Sequence, residues 1–333
     1  MGKQNDALNY FLNRDRVLVD FCNGSLYGGR KVILPEQLGE RQRCYHEVRV
    51  DQTGQKRIYC RQRDVAKVLY IRGHLLVLAV ENQDKPHLYM PLRVMEYDTE
   101  EYLKQIRRLK RHNSEKKKRN AKEYLSGILK TDRLIPTVTL VLYHGKEKWD
   151  APTHMAELCD MGAFDDVLSA FYMDYRINII NLADLNENHF ETGLRELIGM
   201  MKRRDNKEEM WAYCKANEER FSSLDDETYD IICTMLHLKT LETKKEKYRE
   251  EENKNNMCKA FDDLKKDWEA EGEGRGERRG ERRGERKGKK LGEDTLARLI
   301  EKLLEDNRLD EVKKAVQSAA FRKKLYLEYG IQA

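Results

Sequence analysis

Residues 63–83 read Arg63-Asp64-Val65-Ala66-Lys67-Val68-Leu69-Tyr70-Ile71-Arg72-Gly73-His74-Leu75-Leu76-Val77-Leu78-Ala79-Val80-Glu81-Asn82-Gln83. Two strand-like runs, Val65–Ile71 and Leu75–Val80, flank Arg72-Gly73, a pair that fits a tight turn. The second run is six apolar residues in a row, the pattern of a central strand buried on both faces. It ends abruptly at Glu81-Asn82-Gln83. Side chains alternate faces along a strand, so Glu81 and Gln83 share one face and Asn82 takes the other. The tight turn makes the strands antiparallel. Asp64, at the start of the first, is thereby brought beside Glu81, at the end of the second, at one edge of the sheet.

Downstream, Pro91 opens a long helix that reaches about Arg111, proline being favoured in a first helical turn. Thr137–Tyr143 is a further β-branched apolar strand, broken at His144-Gly145, and Arg176–Leu182 is another. Upstream, residues 5–23 carry apolar positions at helical spacing, with Gly24, Gly28 and Gly29 at the end. Residues 44–60 read as a polar hairpin turning at Asp51-Gln52-Thr53-Gly54. From residue 190 the pattern is helical, over 190–203, 206–221, 226–240 and 246–269. Glycine then recurs every four residues from Gly272 to Gly292. Each glycine costs a helix about 0.8–1 kcal/mol, so a marginal helix or a flexible basic linker is expected there. Two short amphipathic helices follow, 293–305 and 309–327. The fold class is α/β, a central mixed sheet flanked by helices with a helical C-terminal region. The expected divisions are a core over 1–195, a helical extension over 196–270, a low-complexity linker over 271–292 and a helical tail over 293–333.

Charged residues make up 37% of the 333 and hydrophobic residues 39%, so the core is modest for the length. The net charge of +5 is unevenly spread. Residues 104–122 hold ten Lys/Arg and the single acidic Glu115, and residues 272–290 hold nine Lys/Arg and four Glu. Each stretch is either a solvated segment or a phosphate-contacting surface. In the first, Lys116, Lys117, Lys118 and Arg119 are the candidate contacts. The seven cysteines include no C-x-x-C pair, which argues against a zinc site or a disulfide framework and fits a reducing compartment. Met1–Arg16 is polar, unlike a signal peptide, and no run of about 18 apolar residues occurs. The expectation is a cytoplasmic protein without a membrane span.

Asp64, Glu81 and the backbone carbonyl of Asn82 form an oxygen set suited to Mg²⁺, with Mn²⁺ as a substitute. A metal so held activates a water for attack on a phosphodiester. Gln83 would orient that water; an amide cannot take its proton. Asp6 is either a further acidic ligand or a helix-terminal residue. Arg93 faces either substrate phosphate or solvent. Tyr143, His144 and Trp149 either brace a turn or touch substrate.

An acidic residue before one strand and Glu-x-Gln ending the next resembles the PD-(D/E)XK phosphodiesterase signature. The text around it is closer still. Arg63-Asp64-Val65, Val80-Glu81-Asn82-Gln83, Met90-Pro91-Leu92-Arg93 and Ile135-Pro136 with Leu142-Tyr143-His144-Gly145 and Trp149 resemble the Rpn or YhgA-like family of recombination-promoting nucleases, often described as transposases. The resemblance covers about residues 5–240. It implies a restriction-endonuclease-like core with Asp64, Glu81 and Gln83 as catalytic residues. It also implies Mg²⁺-dependent DNA endonuclease activity linked to recombination or mobile elements. Two residues depart from the wider signature: Arg63 stands for its Pro and Gln83 for its Lys. The alternative is a catalytically inactive nuclease fold serving as a DNA-binding or protein-interaction module. One site cutting both strands implies a homodimer.

Overall fold

The computed structural model describes residues 2–41, 44–50, 56–114 and 120–332; over 44–62 the description covers the backbone alone. The chain divides into two compact units, Met1–Phe261 and Asp262–Ala333.

The first unit is built on a five-stranded mixed sheet. Its strands, in the order in which they pair, are β1 (Leu38–Glu40), β4 (Val65–Ile71), β5 (His74–Gln83), β6 (Thr137–Tyr143) and β7 (Asn178–Asn181). Two others, β2 (Cys44–Val50) and β3 (Lys56–Gln62), pair with each other as a separate antiparallel hairpin. The predicted turn Asp51-Gln52-Thr53-Gly54 lies outside the described residues. The β4–β5 turn uses Arg72 (φ 51°) and Gly73 (φ 80°), both left-handed, as a two-residue hairpin of the right twist requires. This turn sets the register Val65↔Val80 through Ile71↔His74. Strand β5 is central, paired antiparallel with β4 and parallel with β6, and Val77 to Gln83 are all buried. Two-sided burial thus holds for Val77–Val80 of the apolar run; Leu75 is exposed and Leu76 half-buried, and the burial continues instead through the polar Glu81-Asn82-Gln83.

Helices cover both faces. On one lies α3 (Met90–Ser114), whose buried Met90, Val94, Tyr97, Glu101 and Gln105 recur at helical spacing along one stripe. Met90 and Val94 pack with Val141 and Ile177. The other face carries α1 (Lys3–Leu12) and α2 (Asp15–Tyr27). The sequence predicts a single helix over 5–23. The chain breaks at Arg14, whose ψ of 125° leaves the helical region. The apolar spacing continues across the break through Leu12, Val17 and Leu18, so periodicity alone does not reveal it. At Gly24 an added Cβ would stand 2.3 Å from the Phe190 ring, so α2 packs there only through a bare backbone.

Two short helices, α4 (Ala121–Ser126) and α5 (Asp166–Ser169), lie in the connections around β6. The helical region that follows comprises α6 (Leu194–Lys202), α7 (Lys207–Ala216), α8 (Glu218–Phe221), α9 (Asp226–Met235) and α10 (Lys239–Thr243). Helix α1 packs on α9, and α2 on α6. Where the sequence predicts a helix from residue 246, the chain instead forms β9 (Arg249–Glu251) and β10 (Lys254–Asn255), which join β8 (Leu224–Asp225) in a small sheet. Helix α11 (Met257–Glu305) then runs unbroken through the glycine repeat. In the second unit Leu299 and Leu303 pack with α12 (Leu309–Gln317) and α13 (Ala319–Glu328) around Ala315, Leu325 and Tyr326. Among the described residues no helix is long and apolar enough to cross a membrane.

Candidate active site

The β4–β5 register places Asp64, one residue before Val65, beside Glu81, one residue after Val80. Their meeting place is the end of the central strand and not an outer strand of the sheet. It is also closed: Glu81 is 0% exposed, Asp64 4% and Gln83 8%. The partners of Glu81 and Asn82 show these two side chains on opposite faces. Glu81 faces α3, where Arg93 Nη2 lies 3.4 Å from its Oε2. Asn82 faces α1, where its amide donates to the side-chain oxygen of Asn9. Gln83 accepts the His144 N–H at its backbone carbonyl, 3.0 Å.

The Asp64 carboxylate is drawn across the end of β5. One oxygen accepts the backbone N–H of Asn82 at 2.8 Å, the other the amide of Asn9 at 2.9 Å. Burial raises its pKa, which these two hydrogen bonds and Arg93 partly offset. Asp6, exposed in the first turn of α1, raises it further through space; Gly2, not Asp6, is the N-cap. Glu81 is supported by the Arg93 and Arg63 charges and by a backbone hydrogen bond with Asp64, which offset its burial only in part. Its Oε1 is buried without a hydrogen-bond partner, and burial, then the Asp64 charge, push its pKa up to about 8. Two carboxylates forced together in a dry place disfavour each other's charge.

Asn9 is a member of the site that strand geometry does not predict. Its signal in the sequence is weak: a polar residue one turn after Asn5, on a helix whose neighbouring Leu8 and Leu12 are fully buried. Arg93 is 29% exposed in its side chain and lies over the Tyr97 ring at 5.7 Å, so neither phosphate nor bulk solvent alone describes its setting. Arg63 is wholly buried. It donates to Thr139 Oγ1 at 2.7 Å and to Asp98 at 2.6 Å, and Asp98 also accepts from Thr139 and Tyr175. Arg63 is therefore a structural clamp between the start of β4, α3 and β6. Tyr143 and Trp149 stack edge-on at 5.2 Å, and the Tyr143 hydroxyl donates to the Glu147 carbonyl; both brace the turn after β6. A Cβ on Gly145 would lie 2.2 Å from that hydroxyl. His144 is tied to Asn5 at 2.8 Å, and burial pushes its pKa down to about 4. It borders a cavity of about 280 Å³ lined also by Gln4, Asp84, Lys85, Arg204 and His237. Lys116, Lys117, Lys118 and Arg119 lie outside the described residues.

The raised Glu81 pKa makes a testable statement about stability. Its folded value lies above the usual carboxylate value, so the group's contribution is full below about pH 4.5 and is lost as pH rises through 8. His144 acts oppositely, but only between about 4 and 6.5. Between pH 6.5 and 8 the metal-free protein is expected to lose up to about 1.4 kcal/mol per pH unit from Glu81. Denaturant unfolding across this window checks it. A Glu81→Gln variant should show no such slope from this position; equal slopes in both proteins would place the titration elsewhere.

Among the described residues no group of three or more His, Cys, Asp and Glu side chains is placed to hold a metal ion. The acidic pair is the candidate centre, all oxygen donors. No family model, no curated protein and no solved structure matches the chain.

Proposed function

We propose that the chain is a Mg²⁺-dependent DNA endonuclease of the PD-(D/E)XK type, serving recombination or a mobile element. The observation that carries this reading is Glu81: a fully buried carboxylate with an unpartnered oxygen, set beside a second carboxylate at the end of the central strand. Both carboxylates of such a buried pair can be ionised together only beside a compensating cation; without one, Glu81 keeps its proton up to about pH 8. The donor set fits Mg²⁺, which takes one or two carboxylates and keeps its remaining waters. Asp64, Glu81 and the carbonyl of Asn82 would hold it, and when bound it would supply an acidified water and charge neutralisation at the phosphate.

The chain's own residues do the rest. Asn9 and the Asn82 N–H fix the Asp64 carboxylate. Gln83, on the Glu81 face, orients the attacking water without removing its proton. Arg93, partly exposed and already next to the acidic pair, is the cation positioned to meet the scissile phosphate. Two copies would supply the two sites that a double-strand cut requires. A second reading is favoured by one observation. Arg93 lies 3.4 Å from Glu81, where a guanidinium can neutralise the carboxylate in place of a metal ion. On that reading the domain binds DNA or protein without cleaving.

Plasmid nicking by purified protein, with Mg²⁺ and with chelator, separates the two. Mg²⁺-dependent nicks are the expected result; none at any Mg²⁺ or Mn²⁺ concentration leaves the binding module. A parallel RNA substrate tests the choice of nucleic acid. Gln83→Lys restores the signature's residue, whose ammonium stabilises hydroxide but competes for the carboxylates. Nicking within about tenfold of wild type is expected, roughly 1.4 kcal/mol in barrier. Complete loss at saturating Mg²⁺ would show that the amide itself is required.

A further inference from the structure

The glycine-punctuated part of α11 is exposed along its whole length from Arg275 to Gly292. Four residues advance an α-helix by about 400°, so a four-residue period lays each residue type along its own slowly drifting stripe. Gly276, Gly280, Gly284 and Gly288 form one stripe. Glu277, Glu281 and Glu285 form the next. Arg278, Arg282 and Arg286 form a third, and Arg279, Arg283 and Lys287 the fourth. Two of the four stripes are therefore wholly cationic, and they run the length of the exposed segment.

This arrangement gives the helix little reason to stand alone. Its glycines each cost about 1 kcal/mol. An added Cβ would meet nothing at Gly276, Gly280, Gly284 or Gly288, so these glycines serve no close packing within the chain. Like charges at i,i+4 repel by a few tenths of a kcal/mol per pair. Arg275 is paired with Glu271. Among the described residues none of the eight Lys/Arg from Arg278 to Lys290 forms an ion pair; Arg278 is bonded only to the Gly274 carbonyl, at 3.0 Å. Successive cations along a stripe rise by about 6 Å, and Arg278 to Lys290 spans about 18 Å. A linear polyanion with closely spaced charges meets such a row; a carboxylate on a folded surface meets one or two of its members.

We propose that the Arg278–Lys290 segment of α11 is a docking surface for the phosphodiester backbone of nucleic acid, engaged without base specificity. The surface shares a nucleic-acid partner with the proposed nuclease function but does not depend on the metal site. The phosphates quench the repulsion within the cationic stripes. The glycines keep the helix slim and leave it only marginally stable until the anion is bound.

Binding of the full chain to a labelled 20-base-pair duplex of arbitrary sequence, in chelator and over a range of NaCl, tests this apart from catalysis. Arg278, Arg279, Arg282, Arg283 and Arg286 changed together to Gln should flatten the plot of log affinity against log salt. The expected change is about 0.9 for each phosphate no longer neutralised, up to about 4 in all. Affinity at 0.1 M NaCl should fall by at least about tenfold. A second variant, Gly276→Ala with Gly280→Ala and Gly284→Ala, stiffens the helix and leaves every charge in place. It should bind at least as tightly as wild type with the same slope. An unchanged slope in the arginine variant overturns the proposal, including the case in which affinity falls without it, and leaves an acidic protein surface as the partner to test. Weaker binding by the alanine variant overturns the helical surface. Both results are independent of whether the protein nicks DNA.

Discussion

Glu81→Gln protein is expected to keep its fold and lose Mg²⁺-dependent plasmid nicking by about a thousandfold or more, which corresponds to about 4 kcal/mol of barrier. The substitution is nearly isosteric at a side chain that is 0% exposed. Because burial and Asp64 hold Glu81 protonated up to about pH 8 in the metal-free protein, a neutral amide is a fair copy of the resting state. What it cannot copy is an anionic oxygen ligand. Asp64→Asn should lower nicking comparably but carry a stability cost as well, since the Asp64 carboxylate accepts both the Asn82 N–H and the Asn9 amide. The two variants therefore separate ligand loss from fold loss. Thermal unfolding and circular dichroism establish the fold; nicking at wild-type rate by well-folded Glu81→Gln would remove the acidic pair from the mechanism.

The second large effect concerns stability alone. Arg63→Met should cost about 3–5 kcal/mol, the usual consequence of stranding one partner of a buried ion pair. The guanidinium is fully buried, and Asp98 is only 13% exposed. Without Arg63, Asp98 keeps its hydrogen bonds from Thr139 and Tyr175 but loses its counter-charge. Set against a typical total of about 5–15 kcal/mol, this is enough to unfold a marginal protein. The double variant Arg63→Met with Asp98→Asn should recover a large part, because no buried charge then remains uncompensated. Denaturant midpoints of wild type, both single variants and the double variant form the test. A single-variant loss below about 1 kcal/mol, well under the usual cost of breaking a buried pair, would show that the pair is not the clamp described. A double variant no better than Arg63→Met would show the same.

The elements legible in the sequence are those whose signal is local. The 65–83 hairpin can be placed because a turn pair and an uninterrupted apolar run fix both strands and their register. Pro91 marks the start of α3 to within one residue, Met90 being first. The break at Arg14 is not legible, since apolar spacing carries through it; the strands at 249–255 are not legible because that stretch holds no apolar residue to set a period and its pairing with β8 is tertiary. The continuity of α11 escapes for a different reason. Counting glycine costs treats each residue alone, whereas a helix nucleated at both ends, by buried Met257, Cys258 and Ala260 and by Leu299 and Leu303, extends without a further nucleation cost. At the site, strand geometry relates Asp64, Glu81 and Gln83 to one another. Asn9 and the partners of Arg63 lie beyond its reach, because a buried polar residue reveals itself only through neighbours dozens of residues away.

The grip of Asn9 on Asp64 and Asn82 also sets an order of events during synthesis. Helix α1 emerges first, yet its own place is defined from the far end of the first unit: Gln4 donates to the Met235 carbonyl at 2.7 Å and Lys3 pairs with Glu242. At about 5–20 residues per second, the 231 residues between Gln4 and Met235 take roughly 10–45 seconds to appear. Once β5 is complete at Gln83, β4 and β5 can pair for the rest of that interval while the face awaiting α1 stays open to water. On the ribosome the Asn82 face is therefore expected to close last, when the final helices of the unit fix the first, whereas Glu81, turned toward α3, does not wait for them.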